Sequence, residues 1–297
     1  MTTTRVKARA KINLTLKITG VRDGFHLLDS FVASLDLFDS ITLKKRKDKQ
    51  VTIAVRGMGG ENIPPEKNTA LKAGRRFAEK YSTCGADITV NKNIPMAAGL
   101  GGSSADAAGV LTGLAKLYGI RDEAGLGEIA DGIGSDVKYM MKGGFCRMQG
   151  RGERLFPLEK ASAKLYFLLL CPQGGVSSGA CYKKFDELHP EILEKTPVQS
   201  DFVTEKSIES YLLGDLNAWG RYVTNDLFEP AGALDPDVLA AMEEARSFSP
   251  LGAGMTGSGS AVFAAFESRE LRDWAKSRYK GNFCAICTET DKFRAEL

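Results

Sequence analysis

The segment that decides the fold reads Ile94-Pro95-Met96-Ala97-Ala98-Gly99-Leu100-Gly101-Gly102-Ser103-Ser104-Ala105-Asp106-Ala107-Ala108. Before it, Ile88 and Val90 alternate with polar residues as in a strand, and after it apolar residues recur at helical spacing. The sequence therefore predicts a glycine-rich loop between a strand and a helix that begins near Ser103. Glycine lets backbone N–H groups turn toward one point, and a helix start adds unpaired N–H groups. These features are typical of a polyphosphate-binding site, although a plain turn with a serine helix cap fits them too.

Length and composition bound the class of protein. A chain of 297 residues is long enough for two domains. Its composition, with 43% hydrophobic and 26% charged residues, is ordinary for a soluble globular protein. The net charge is only +3, and no basic block is long enough to argue for nucleic acid as a partner. No apolar run approaches the ~20 residues that span a bilayer, and the N-terminus lacks a signal-peptide core. We therefore expect a cytoplasmic protein without a membrane partner.

The six cysteines are scattered, and only Cys284 and Cys287 form a Cys-x-x-Cys pair. Such a pair can bind a metal or carry redox chemistry. No second pair or nearby histidine accompanies it, and the two histidines of the chain, His26 and His189, are too few for a multi-histidine metal site. We expect all six cysteines to be small core residues in a reducing compartment.

The N-terminal region predicts strands. Apolar and polar residues alternate strictly over 5–18, which predicts one strand with one buried face. On its other face, a solvated position fits Arg5, Lys7 and Lys17. Further strands are predicted over 31–37, 41–44 and 51–55, and the last two are expected to pair antiparallel across the lysine-rich loop 44–49.

The rest of the chain mixes helices and strands with few βαβ repeats, which predicts an α+β fold. Asn68 is expected to cap a helix that continues to Tyr81, and Gly143 is expected to end a short helix that follows Asp136. Other helices are predicted over 123–130, 207–213, 217–228, 237–248 and 270–279. Other strands are predicted over 164–171, 261–266 and 282–287.

Pro95 and the run Gly99-Leu100-Gly101-Gly102-Ser103-Ser104-Ala105 resemble the nucleotide-binding motif of the GHMP kinases. The loop lacks both the Gly-Lys-Ser/Thr ending of a P-loop and the spacing of a dinucleotide fingerprint. The resemblance implies a two-domain α+β fold of the GHMP type with the active site in the interdomain cleft. A charged stretch over 151–163 marks the expected boundary, with an N-terminal nucleotide-binding domain over 1–155 and a C-terminal domain over 156–297.

Further segments narrow this resemblance to one GHMP family. The N-terminal ones are Ala10-Lys11-Ile12-Asn13-Leu14, Gly24-Phe25-His26 and Ser30-Phe31; the later ones are Gly134-Ser135-Asp136-Val137, Asn225-Asp226-Leu227 and Thr256-Gly257-Ser258-Gly259. They resemble kinases of the non-mevalonate isoprenoid route that act on a cytidine diphosphate-linked methylerythritol. The resemblance implies ATP-dependent phosphorylation of the substrate's 2-hydroxyl, with ATP and Mg²⁺ as cofactors.

The same resemblance implies the catalytic residues, with Asp136 as the carboxylate and Lys11 as its partner. A carboxylate that accepts the proton of an alcohol suits such a reaction, as does a lysine that stabilises charge on the transferred group. From spacing alone, Ser135 or Asp136 could instead simply cap the short helix.

The binding residues are also implied by the resemblance. For ATP they are Asn68, Lys92, Pro95, Met96, Ala97, Ala98, Gly99, Leu100, Gly101, Gly102, Ser103 and Ser104. For the substrate they are Asn13, Phe25, His26, Ser178 and Tyr182. Phe25 and Tyr182 would stack on the cytosine and His26 would make polar contacts, although Tyr182 also fits a core position. No Mg²⁺ ligand and no oligomeric state are predicted.

Two alternatives stay open. One is another GHMP enzyme, such as a homoserine kinase or a mevalonate-pathway kinase or decarboxylase. The other is a GHMP-fold sensor that binds nucleotide without turnover. The Phe25-His26 pair argues against the first alternative, and the presence of both Lys11 and Asp136 argues against the second.

Overall fold

The structure is a computed structural model that describes residues 2–161, 163–194 and 196–291. The strands in this part of the chain are β1 Thr3–Asn13, β2 Thr15–Arg22, β3 Phe25–Lys45, β4 Thr52–Arg56, β5 Ala86–Asn91, β6 Cys146–Gly150, β7 Arg154–Pro157, β8 Tyr166–Cys171, β9 Thr224–Asn225, β10 Gly252–Met255, β11 Val262–Phe266 and β12 Cys284–Glu289. The α-helices are α1 Thr69–Lys80, α2 Gly102–Tyr118, α3 Glu123–Asp131, α4 Val137–Lys142, α5 Ser178–Leu188, α6 Phe202–Leu212, α7 Leu216–Gly220, α8 Phe228–Leu234, α9 Pro236–Ser247 and α10 Arg269–Arg278. No helix among the described residues is long and apolar enough to cross a membrane.

The strands form two sheets. In the larger sheet the order is β4-β5-β3-β2-β9, with β1 and the β6–β7 hairpin also joined to β3. The smaller sheet has the order β10-β11-β8-β12 and is antiparallel throughout. The larger hydrophobic core includes Phe31 of β3 together with Tyr211, Trp219 and Phe263 from the second half of the chain. Burial of these large side chains therefore holds the two halves against each other.

The predicted strand over 5–18 is wrong in its continuity. The chain bends at Leu14, whose N–H donates to the Phe31 carbonyl at 2.7 Å, so β1 and β2 are separate strands. From Ala10 to Leu16 both faces are buried, and Lys11 and Asn13 are each only 6% exposed. The reason is tertiary, because the end of β1 lies under the glycine-rich loop and the Lys11 N–H donates to the Leu100 carbonyl at 3.0 Å.

The predicted antiparallel pairing of 41–44 with 51–55 is also wrong. The first segment belongs to the 21-residue strand β3, and β5 lies between it and β4, antiparallel to β3 and parallel to β4. The loop between β3 and β4 is held to the start of β5, since the Gly85 N–H donates to the Asp48 carbonyl at 2.6 Å. Ile88 and Val90 of β5 are fully buried, whereas β4 is a half-exposed edge strand, so the more apolar strand takes the central position.

Most other elements are confirmed to within a few residues, including the Asn68 cap, whose side chain accepts the Leu71 N–H at 3.0 Å. The predicted helix over 217–228 is wrong, because the short strand β9 separates α7 from α8 and pairs parallel with β2. Helix α5, which begins with the Ser177 side chain as its cap, was not predicted from the sequence. This helix supplies one wall of the site described below.

The expectation that all six cysteines are core residues is wrong for Cys284 and Cys287, which are exposed. Both lie on β12, the edge strand of the smaller sheet, which pairs with β8.

A buried carboxylate joins the sheet to the second half of the chain. Asp29 of β3 is completely buried, and the Arg147 guanidinium donates to its two oxygens at 2.8 and 2.6 Å. The Asp201 N–H, at the start of α6, donates to the same carboxylate at 2.7 Å. Arg147 also contacts Glu205, a half-exposed residue of α6, at 3.3 Å.

We predict that Asp29→Asn lowers the free energy of unfolding by about 3 kcal/mol, because it leaves Arg147 without its buried partner. Glu205→Gln removes the other carboxylate from the same guanidinium but should cost under about 1 kcal/mol, because that contact faces water. Urea unfolding of both variants tests this difference. Equal losses from the two variants would contradict it.

Candidate active site

The glycine-rich loop adopts the conformation that its sequence requires. Gly99 and Gly101 both have φ of +73°, a backbone region that residues with a side chain avoid. Gly101 is the N-cap of α2, and no side chain of the described residues caps this helix. The interpretation of the motif as a serine-capped turn is therefore wrong. The first N–H groups of α2 are left available at the end of the loop.

The loop packs directly on the second glycine-rich segment, Thr256 to Gly259. A Cβ at Gly99 would lie 2.0 Å from the Thr256 carbonyl oxygen, so the two backbones leave no room for a side chain. The Thr256 hydroxyl donates to the Gly99 carbonyl at 3.2 Å, and the Ala261 N–H donates to the Ala98 carbonyl at 3.2 Å. The two motifs, more than 150 residues apart in sequence, thus form one surface.

Lys11 and Asp136 meet beside this surface. The Lys11 Nζ lies 3.8 Å from Asp136 Oδ2, with the lysine side chain 7% exposed and the aspartate side chain 30% exposed. Burial lowers the pKa of the Lys11 ammonium from its ordinary 10.5, against the opposing effect of the Asp136 carboxylate. Asp136 occupies the N-cap position of α4, but its side chain makes no capping hydrogen bond. The alternative in which Asp136 only caps a helix is therefore wrong.

Asn13 connects Lys11 to both glycine-rich segments. Its side-chain oxygen accepts hydrogen bonds from the Lys11 ammonium and from the Gly257 N–H at 3.0 Å, and the Thr256 hydroxyl oxygen lies 3.3 Å away. Its amide group donates to Ser30 Oγ at 2.8 Å. These hydrogen bonds show Asn13 binding other groups of the protein. Its role in substrate binding stays a prediction.

A second buried cation lies beneath the start of α2. The Lys92 ammonium donates to Asp39 and, at 2.7 Å, to Asp106, and its side chain is 4% exposed. Burial would lower the pKa of Lys92, but the two carboxylates outweigh it and raise that pKa. Burial also raises the pKa of Asp106 to about 7, with Lys92 opposing this shift and Asp39 adding to it. The position of Lys92 suits support of the loop more than direct contact with a nucleotide.

The aromatic residues predicted for the substrate, Phe25, His26 and Tyr182, lie in the same cleft. The Arg151 guanidinium covers the half-exposed Phe25 ring at 3.4 Å from its centroid. The His26 ring stacks on Tyr182, with the centroids 4.8 Å apart and the planes 28° apart. Tyr182 also packs against the smaller hydrophobic core, so its core position and its place in the site are compatible. No role for Arg151 was predicted from the sequence.

All the residues predicted for catalysis, ATP binding and substrate binding line one cavity of about 1450 Å³. Its lining includes the glycine-rich loop, Lys11 and Asp136, and Phe25 and His26. The structure thus brings every one of these residues to a single cleft, while their individual roles stay predictions. It also places there residues that the sequence analysis missed, among them Asp186 and Arg151, for which no sequence motif gave a signal.

Comparison with known proteins agrees with this arrangement. The family described as GHMP kinases N terminal domain matches residues 68–145, and GHMP kinases C terminal matches residues 205–283. The class of the protein is therefore that of the GHMP kinases, which confirms the fold predicted from the glycine-rich loop.

Individual relatives narrow the class. The 4-diphosphocytidyl-2-C-methyl-D-erythritol kinase of Clostridium beijerinckii is 33% identical, covering 94% of this chain and 98% of its own. That of Ruegeria pomeroyi is 36% identical, covering 88% of each. A crystal structure of 4-(cytidine 5'-diphospho)-2C-methyl-D-erythritol kinase superposes with a TM-score of 0.77 at 28% identity, covering 97% of this chain and 99% of that one. The chain belongs to the 4-diphosphocytidyl-2-C-methyl-D-erythritol kinase family.

We predict that Gly99→Ala weakens ATP binding by about tenfold or more, because a Cβ there would push the loop away from Thr256. Gly119→Ala is the matched control, since Gly119 ends α2 with a φ of +72° and has open space around its Cβ position. The control should lose about 1 kcal/mol of stability from backbone strain and keep its affinity. Calorimetric titration with ATP measures the affinity of each variant. Equal ATP affinities in the two variants would contradict the prediction.

Proposed function

We propose that this protein is the enzyme that transfers the γ-phosphoryl group of ATP to the 2-hydroxyl of 4-diphosphocytidyl-2-C-methyl-D-erythritol. This reaction belongs to the non-mevalonate route to isoprenoid precursors. The observation that carries the proposal is the meeting of Lys11 and Asp136, 3.8 Å apart, in the cavity lined by the glycine-rich loop. Membership of the kinase family supports it. Because the reaction consumes ATP, we also propose a cytoplasmic location.

In this proposal Asp136 is the general base. An alcohol has a pKa near that of water, about 15.7, so it is a poor nucleophile until a carboxylate accepts its proton during attack. The Asp136 carboxylate is partly exposed and has no helix-capping bond that would compete for the proton. Lys11 stabilises the negative charge that spreads over the transferred phosphoryl group. Its buried position makes this charge effective, because little water screens it.

The glycine-rich loop binds the phosphates of ATP in this proposal. The N–H groups at the start of α2 and the hydroxyls of Ser103 and Ser104 provide the donors. Asn68 and Thr69 lie beside them, and the Thr69 hydroxyl donates to the Ser103 carbonyl at 2.6 Å. Lys92 with its two carboxylates supports the loop from below.

The cavity also fits Mg²⁺. Its serine hydroxyls are hard oxygen donors, which Mg²⁺ prefers, and the described residues contain no cluster of three or more His, Cys, Asp or Glu that could hold a metal. The hydroxyls of Ser103 and Ser104 would thus share the ion with the ATP phosphates, and Asp136 would stay available to accept the proton. When bound, Mg²⁺ would neutralise part of the negative charge on the ATP phosphates.

The part of the cavity lined by aromatic residues is suited to the cytidine of the substrate. Phe25, His26 and Tyr182 provide aromatic surface and a polar ring edge there, and Ser178 and Asn13 also line the cavity. Homoserine and mevalonate carry no base that would use these aromatic rings. A sensor without turnover would not need the Lys11–Asp136 pair.

The test is ADP release, measured in parallel with the cytidyl substrate, homoserine and mevalonate. We expect turnover with 4-diphosphocytidyl-2-C-methyl-D-erythritol alone. Turnover with homoserine or mevalonate instead would replace the proposed substrate. Binding of the cytidyl compound without ADP release would favour a sensor.

For Asp136→Asn we expect kcat to fall by about 10²–10⁴-fold with little change in KM, because proton acceptance belongs to the transition state. Steady-state kinetics with the cytidyl substrate check this. A kcat near that of the wild type would remove Asp136 from the mechanism.

The lowered pKa of Lys11 predicts the alkaline limb of the pH profile. Burial disfavours the charged ammonium, so Lys11 should lose its proton at a pH below 10.5. The value of kcat/KM should therefore fall as the pH rises through the lowered pKa of Lys11. Lys11→Arg keeps a cation that does not titrate in this range, so the limb should disappear even if the overall rate is lower. A limb at the same pH in both proteins would assign it to another group.

A further inference from the structure

One face of α5 holds the His26 ring from three sides. Tyr182, Phe185 and Asp186 are spaced so that they share this helix face. Tyr182 stacks on the imidazole at 4.8 Å, Phe185 meets it edge-on at 6.0 Å and 84°, and Asp186 Oδ1 lies 2.7 Å from His26 Nε2. The histidine side chain is 14% exposed and lines the cleft. Its orientation is therefore determined by contacts within the protein.

The hydrogen bond to Asp186 also selects the tautomer of the ring. An ionised carboxylate can only accept, so a neutral imidazole beside it must carry its proton on Nε2. The other nitrogen, Nδ1, then has a lone pair and acts as an acceptor. Among the hydrogen bonds recorded between described residues, the His26 imidazole takes part only in the one with Asp186, so Nδ1 remains for a ligand.

An acceptor at this place distinguishes between the two pyrimidine bases. Cytosine carries an exocyclic amine, a donor, at the position where uracil carries a carbonyl oxygen, an acceptor. Nδ1 can accept a hydrogen bond from the amine, whereas the carbonyl would set two lone pairs against each other. A polar site that one base satisfies and the other does not is an effective source of selectivity.

We propose that Asp186 is a positioning residue that fixes the orientation and the tautomer of His26, the residue that the proposed function assigns to the cytosine, so that Nδ1 accepts from the exocyclic amine and a uracil carbonyl is disfavoured. The inference rests on the proposed function, because it deepens the recognition of the cytidyl group. Asp186 acts through His26 and does not itself need to touch the base.

The first test compares the binding of CDP and UDP by calorimetry, with a non-hydrolysable ATP analogue at saturation so that only the substrate end is free. Wild type should prefer CDP. Asp186→Ala should bind CDP about tenfold more weakly and bind UDP as before, so that the preference is lost. Glu187→Gln removes the neighbouring carboxylate of α5, which pairs with Lys184 at 2.6 Å on the surface, and should change neither affinity.

An unchanged CDP preference in Asp186→Ala would overturn the proposal. So would an equal loss of affinity for both nucleotides, because that would mean a role in shaping the pocket only. Absence of a CDP preference in the wild type would overturn it as well.

The second test observes the tautomer directly. Only two histidines, His26 and His189, are present, so ¹⁵N-histidine labelling gives two sets of ring signals, which His189→Gln assigns. At a pH of about 9, where an ordinary imidazole is neutral, wild-type His26 should show its proton on Nε2. Asp186→Ala should show a mixture of tautomers while His189 stays the same. A single Nε2 tautomer in the variant would contradict the assigned role.

Kinetics separate this inference from the proposed function. With the cytidyl substrate, Asp186→Ala should raise KM and leave kcat close to wild type, because the base lies away from the reacting phosphoryl group. A fall in kcat alone would overturn the positioning role. Failure of the wild-type protein to release ADP with this substrate would instead count against the proposed function.

Discussion

Burial of one ammonium group is the constraint on which the rest of the site depends. Lys11 lies on a strand under the glycine-rich loop, where its charge is costly unless polar groups surround it. Asn13 accepts one of its hydrogen bonds, and Asp136 supplies the opposite charge at 3.8 Å. The same asparagine binds the Thr256–Gly257 segment, so the groups that stabilise the cation also align both glycine-rich motifs.

The close contact between those motifs explains why the two halves of the chain are one catalytic unit. A backbone approach such as that of Gly99 and Thr256 is possible only without a side chain, and it is supported by a shared hydrophobic core and by the buried Asp29 carboxylate. Beneath the loop, Lys92 pairs with two further carboxylates, those of Asp39 and Asp106. A buried ion-pair cluster thus supports the helix start that faces the cleft.

Prediction from sequence worked where the decisive forces are local. The Asn68 cap, the glycine-rich loop and the amphipathic helices depend on neighbours within a few residues, and these are confirmed. The pairing of β4 with β3 failed, because the position of β5 between them is set by burial in the whole sheet. The predicted single strand over 5–18 is wrong at Leu14, because a tertiary hydrogen bond to the Phe31 carbonyl accompanies a bend there that local alternation does not show.

The sequence by itself determined that this chain has a glycine-rich phosphate-type loop and the motifs of a GHMP kinase, because those motifs are contiguous and each carries its own backbone requirement. Only the tertiary structure decided that Lys11 meets Asp136, that Lys92 is enclosed by two carboxylates, and that α5 supplies Asp186 to His26. Such contacts join residues far apart along the chain, and packing of the complete fold brings their side chains together. The motifs in the sequence therefore predict the type of reaction, whereas the distances between the functional groups follow only from the tertiary structure.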